Sequence, residues 1–209
     1  MPLDNPAAAD ASLRDRLRSD TAELHHALDA ALGAFDLHAP EGLAGFLRAN
    51  ERGFAALGAS TLLEPEDPAH DTAYEDATDA AFDGRALAAD LAGRLRADLA
   101  GLGAATRPAA APLSALCPVA VDYVVLGSRL GSTVLARHWR AATDPRVRGA
   151  AAYFSAPARV TEWQAFCKRT CDMRPDGADA DRILDDTCRI LRLFLDGALP
   201  RHPSQSSDF

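Results

Sequence analysis

The sequence predicts a single all-helical domain. Apolar residues recur at three-, four- and seven-residue spacings along the chain, and no run of alternating apolar and polar residues defines a set of strands. A composition of 48% hydrophobic and 25% charged residues over 209 positions is enough for one substantial core and too apolar for a disordered chain. The abundant alanines suit close helix crossings, because a small side chain lets backbones approach at little entropic cost.

Each element has its own signal. Residues 1–11 read as a flexible lead, a helical domain covers 12–197, and 198–209 reads as a mobile tail. Ser12 and Asp15 have the spacing of a capping box, so a helix starts near Leu13. Leu13, Leu17, Leu24 and Leu28 fall on one face of it, with Leu32 at the edge and an exit at Gly33 and the Phe35–Pro40 stretch. Phe46, Leu47, Phe54 and Leu57 mark a second helix to about residue 58, and the region of Pro65 and Pro68 marks a connection. Leu87, Leu91, Leu95 and Leu99 mark a third helix, interrupted by Gly101, Gly103 and Pro108. Leu113 to Trp139 reads as one long helix in spite of Pro118, Gly127 and Gly131. Further helices are expected over Pro157–Cys171 and Asp179–Leu195, separated by Arg174–Gly177.

Charge and motifs narrow the function. Lys plus Arg number 22 against 30 Asp plus Glu, a net charge of −8, which argues against broad affinity for nucleic acid while leaving room for a local positive rim. Uninterrupted apolar runs fall short of a membrane span and the opening residues lack a secretory pattern, so a cytoplasmic protein without membrane attachment is expected. Cys117, Cys167, Cys171 and Cys188 lack the paired spacing of a zinc module, and neither zinc nor a disulfide is assigned. GxxxxGK[ST], HExxH and GxSxG do not occur.

Two segments carry chemistry. In LRSDTAELHHALD, His25 borders the leucine face near Leu28 and Leu32, whereas His26 lies about 100° further round and points to solvent. A histidine at such a border either packs as a satisfied structural group or enters a pocket, where its neutral imidazole can ligate iron while the second nitrogen takes an orienting acceptor. In DYVVLGSRLGSTVLARHW, Gly127 and Gly131 share a helical face. Glycine inside a helix costs about 1 kcal/mol relative to alanine, so the pair implies close approach by another helix or by a flat ligand. Ser128 and Ser132 could hold water near such a ligand or satisfy neighbouring carbonyls. Arg18 stands two turns before His25 at nearly the same angle, which sets its cation at the same edge or leaves it paired in solvent. Tyr123 either lines the pocket or buttresses the glycine-bearing helix, and Phe194 either packs beside the pocket or fills the stripe of the last helix, with core packing favoured.

Together these segments resemble the heme oxygenase family, particularly its bacterial biliverdin-producing, phytochrome-associated members. LRSDTAELHHALD is similar to the family's proximal helix and DYVVLGSRLGSTVLARHW to its glycine-rich distal helix. WQAFCKRT and DDTCRILRLFLD extend the resemblance over roughly residues 12–197. It implies a heme-oxygenase-like helical fold, with heme as cofactor and substrate and His25 as the proximal iron ligand. Gly127 and Gly131 would admit the porphyrin, with Ser128 beside them at the catalytic face. Arg18, Lys168 and Arg169 would be cations for the propionates, with Tyr123 at the cofactor. Ser128 stands where many members carry an aspartate that organises distal water, and Ser132 where a second glycine is common. The implied reaction uses O2 and electrons from a reductase or ferredoxin-like donor to give biliverdin, carbon monoxide and ferrous iron, with a possible link to a bacteriophytochrome pathway. A noncatalytic heme-binding or heme-handling protein of the same fold is the alternative.

Overall fold

The computed structural model describes residues 11–63, 82–108 and 110–199. The lead over residues 1–10, the connection around Pro65 and Pro68, and the tail from residue 200 lie outside the described residues. Among the described residues there are eight helices and no strand, only a single parallel bridge between Leu62 and Leu116. They are α1 (Leu13–Asp20), α2 (Ala22–Gly33), α3 (Pro40–Gly58), α4 (Gly84–Gly101), α5 (Pro118–Arg140), α6 (Pro145–Gly149), α7 (Val160–Cys171) and α8 (Ala178–Ala198).

The capping box forms as its spacing predicts. Asp15 N–H donates to Ser12 Oγ at 3.2 Å, and the Asp15 carboxylate accepts from Ser12 N–H at 3.3 Å. The helix expected to run on to Leu32 is instead divided at Thr21, where φ and ψ are −100° and 2°. The buried Thr21 hydroxyl donates to Leu17 O at 2.6 Å, and such back-bonding bends a helix. His25 is thereby carried on a second axis, one turn after the bend.

Two other helix starts differ from the sequence reading, and one short helix is new. α5 begins at Pro118 rather than Leu113, because Pro118 takes the first helical position, where its missing N–H costs nothing. The residues before it are held elsewhere: Leu116 N–H donates to Thr61 O at 2.9 Å, and Cys117 N–H to Asp186 at 2.8 Å. α7 begins at Val160 rather than Pro157, since Arg159 takes a left-handed conformation (φ 58°) that ends the preceding loop. The short α6, absent from the sequence reading, starts on an Asp144 cap followed by Pro145.

The core is one continuous cluster. α3 packs most extensively on α4, and α8 crosses α2, α3 and α5. Leu43, Leu47, Phe54, Leu57, Leu91, Leu95 and Leu99 are fully buried in it. α2 is the thinnest participant: it buries one side chain, Leu28, packs chiefly on α8 and touches α1 less. α5 is long and apolar enough to span a membrane by length and composition, with an 18-residue window of mean hydropathy 1.3, and 56% of that window is buried inside the molecule. It also encloses Asp122 and Arg129, the pattern of a core helix.

Candidate functional site

The bend at Thr21 and the crossing of α8 leave a cleft of about 530 Å³ between α2 and α5. From α2 come His25, Leu28, Asp29 and Leu32; from α5 come Tyr123, Gly127, Ser128, Gly131 and Ser132. Phe46, Tyr153, Leu191 and Phe194 close the inner end, and Trp163 stands at one side. The volume suits a small organic ligand, and the lining is mostly apolar with a few convergent polar groups.

His25 is half-buried and His26 exposed, the division that the helical wheel predicts. Burial lowers the His25 pKa, Asp29 opposes that shift and His26 adds to it. Its imidazole is therefore biased toward the neutral form that can ligate a metal. Nε2 lies 3.4 Å from the Tyr123 hydroxyl, and the two rings meet edge to face with centroids 5.9 Å apart. Asp29, one turn beyond His25 on the same face, also lines the cleft, near enough for its charge to act on the imidazole. Among the described residues no group of three or more His, Cys, Asp or Glu stands together. His25 can thus serve a metal only where the ligand itself brings most of the donors.

The glycines decide between a helix crossing and a ligand. A Cβ built at Gly131 would meet nothing within 4 Å, and one at Gly127 would reach only the edge of Trp163 at 3.9 Å. Elsewhere the chain shows what a packing glycine looks like: a Cβ at Gly53 would fall 2.5 Å from the Phe194 ring, and one at Gly58 3.0 Å from the Ala89 backbone. No helix presses on Gly127 and Gly131. They leave bare backbone facing the cleft opposite His25, a cradle that fits a flat group.

The serines are committed to their own helix. Ser128 Oγ donates to Val125 O at 2.6 Å and Ser132 Oγ to Arg129 O at 2.7 Å, so each hydroxyl can only accept from a ligand or water in the cleft. Burial pushes the Tyr123 phenol pKa up. It stays a protonated donor at neutral pH.

Of the residues singled out in the sequence, the structure gathers His25, Tyr123, Gly127, Ser128 and Gly131 around the cleft. Arg18 is exposed in an adjoining open depression with Asp15, Ser19, His26 and Asp29, which shares His25 and Tyr123 with the cleft. Lys168 and Arg169 line neither space. Lys168 is exposed on α7, and Arg169 turns to the buried Asp122 at 3.4 Å and over the Phe166 ring at 5.5 Å. A buried carboxylate outcompetes a solvent-lined cleft for that guanidinium. Phe194 does both things asked of it, packing edge to face on Phe54 and lining the cleft.

Sequence reasoning missed Asp29, Asn50, Tyr153 and Trp163. Asp29 carried a signal, its place one turn after His25, whereas the other three arrive through tertiary packing. Comparison of the chain with family models, curated proteins and solved structures found no match.

Proposed function

We propose that the cleft binds heme through His25, and that the protein cleaves it with O2 and externally supplied electrons to biliverdin, carbon monoxide and ferrous iron. The observation that carries this reading is the pair of unpacked glycines facing a neutral imidazole across an apolar cleft. Bound heme would be both cofactor and substrate and would supply the oxygen activation.

The residues divide the remaining work. His25 would hold the iron, with Asp29 beside its ring on the same helix. Gly127 and Gly131, bare of side chains, would let a flat group lie against the α5 backbone. Ser128 accepts a hydrogen bond from water on that face. Arg18 at the open edge meets a propionate, while Phe46 and Phe194 keep the inner end dry. Electrons would come from a reductase or ferredoxin-like partner in a cytoplasmic setting.

A second reading, noncatalytic heme binding, is favoured by one observation: the Ser128 and Ser132 protons point into α5, and α5 contributes no carboxylate to the cleft. Aerobic incubation of hemin-loaded protein with ferredoxin, its reductase and NADPH, followed by chromatography of the tetrapyrrole, separates the two. Biliverdin supports oxygenase activity, and intact heme beside an active control enzyme supports the binder. His25→Ala is expected to abolish the ligand-bound Soret band on hemin titration. Wild-type protein that gives no Soret shift rejects both readings.

A further inference from the structure

Behind the α5 wall sits a positive charge that the site as described does not use. Arg129 is 1% exposed, the bulkiest of the fully buried side chains. Its Nε donates to Pro157 O at 3.2 Å and Nη2 to Ala156 O at 2.8 Å, while Nη1 is buried without a hydrogen-bond partner. Among the described residues no carboxylate forms an ion pair with it. Asp90 acts on it from a distance, but Asp90 is itself engaged by Arg94 at 2.7 Å, and Arg94 repels Arg129.

A buried guanidinium whose partners are two carbonyls and the neutral Tyr153 phenol is costly, because its desolvation is not offset by an opposite charge. The nearest outlet for its field is Tyr153. The guanidinium carbon lies 5.1 Å from the Tyr153 ring centroid, and Tyr153 lines the inner end of the cleft. The phenol is fixed: its ring meets Phe46, Phe54 and Phe154 at centroid distances of 6.1, 6.4 and 5.3 Å, and its backbone N–H donates to Asp98 at 2.9 Å. Burial keeps the hydroxyl protonated, and the adjacent cation makes it a stronger donor. The polar groups of the cleft are thus unequal. Ser128 and Ser132 can only accept, Asn50 spends one of its two amide N–H groups on Phe46 O at 2.9 Å, and the Tyr123 hydroxyl stands against His25 Nε2 at 3.4 Å.

We propose that Tyr153, backed by the buried charge of Arg129, is the hydrogen-bond donor that positions an anion or electron-rich oxygen held at the inner end of the cleft. This rests on the heme reading. Tyr153 supplies the proton-donating contact that Ser128 and Ser132 cannot, and Arg129 acts through it.

Fluoride binding to the ferric hemin-loaded protein tests the assignment without turnover, since fluoride is a small anion whose affinity for iron reports a donor beside it. Tyr153→Phe keeps the ring packing and is expected to bind hemin as wild type does, with fluoride affinity about tenfold weaker, the size of a hydrogen bond to a charged acceptor. Arg129→Met is expected to weaken fluoride in the same direction with the hemin Soret band unchanged. Equal fluoride affinity in wild type and Tyr153→Phe overturns the assignment and leaves the heme reading standing. Absence of a Soret shift in wild type overturns both. If Tyr153→Phe does not fold, 3-fluorotyrosine at position 153, nearly isosteric and a stronger donor, must tighten fluoride, and unchanged affinity overturns the assignment.

Discussion

At residue scale, Gly131 is the most informative position, because its two explanations predict opposite signs. A helix-packing glycine loses stability on gaining a methyl group, whereas one facing empty space gains the helix propensity of alanine. With nothing within 4 Å of its Cβ position, Gly131→Ala is expected to stabilise the ligand-free protein by about 1 kcal/mol in urea unfolding while weakening hemin binding. Gly53→Ala, pressed on the Phe194 ring, is expected to destabilise. Loss of stability in Gly131→Ala would reject the cradle. The sequence shows that Gly127 and Gly131 share a face, since helical angle is a local property. It cannot show what stands opposite them, because that depends on where α8 and the loop after α6 lie. The same limit explains Arg169: its position on α7 is legible, but its attachment to Asp122 needs the α5–α7 contact.

At the scale of elements, Asp122 ties three helices together. It is 3% exposed, accepts from the backbone N–H of Gly84 at the start of α4, and meets Arg169 from α7 at 3.4 Å. Burial raises its pKa to about 7 despite both partners. The unfolded carboxyl ionises near its ordinary value of 3.8 and the folded one only near 7, so native stability is eroded as pH rises between those values and levels off above them. Asp122→Asn is expected to gain stability relative to wild type over that window, by at most about 1.4 kcal/mol per pH unit. Urea midpoints at pH 5 and 7.5 check it, and parallel shifts in the two proteins would refute it. The existence of the long helices was legible, because leucine spacing survives any tertiary arrangement, whereas the five-residue α6 carries no leucine stripe to reveal it. The boundaries at Thr21, Pro118 and Val160 were not, since each turns on a competing local contact: a threonine back-bond, a chain segment held at Leu116, and a left-handed Arg159.

For the whole molecule, net charge and local charge pull apart. An acidic chain repels a dianionic ligand at long range, so Arg18 matters most where salt does not screen it. Arg18→Ala is expected to weaken hemin binding no more than about fivefold at low salt, as an exposed pair allows, with the difference shrinking in 0.5 M NaCl. A salt-independent loss would place Arg18 in a packing role. The two walls of the cleft also differ in how firmly the core holds them. α5 is anchored on four helices, whereas α2 buries only Leu28 and leans on α8. A ligand seated between them would act as the missing core of α2, so amide exchange is expected to slow across residues 22–33 on hemin addition and to change little in the buried half of α5. The α5 wall offers no rotamers to freeze at its glycines, so little entropy is lost there on binding and the ordering falls on α2. On the proposed reading the substrate would be part of the scaffold until it is consumed, and destroying it would loosen the helix that held it, which would make release a consequence of the reaction rather than a separate motion.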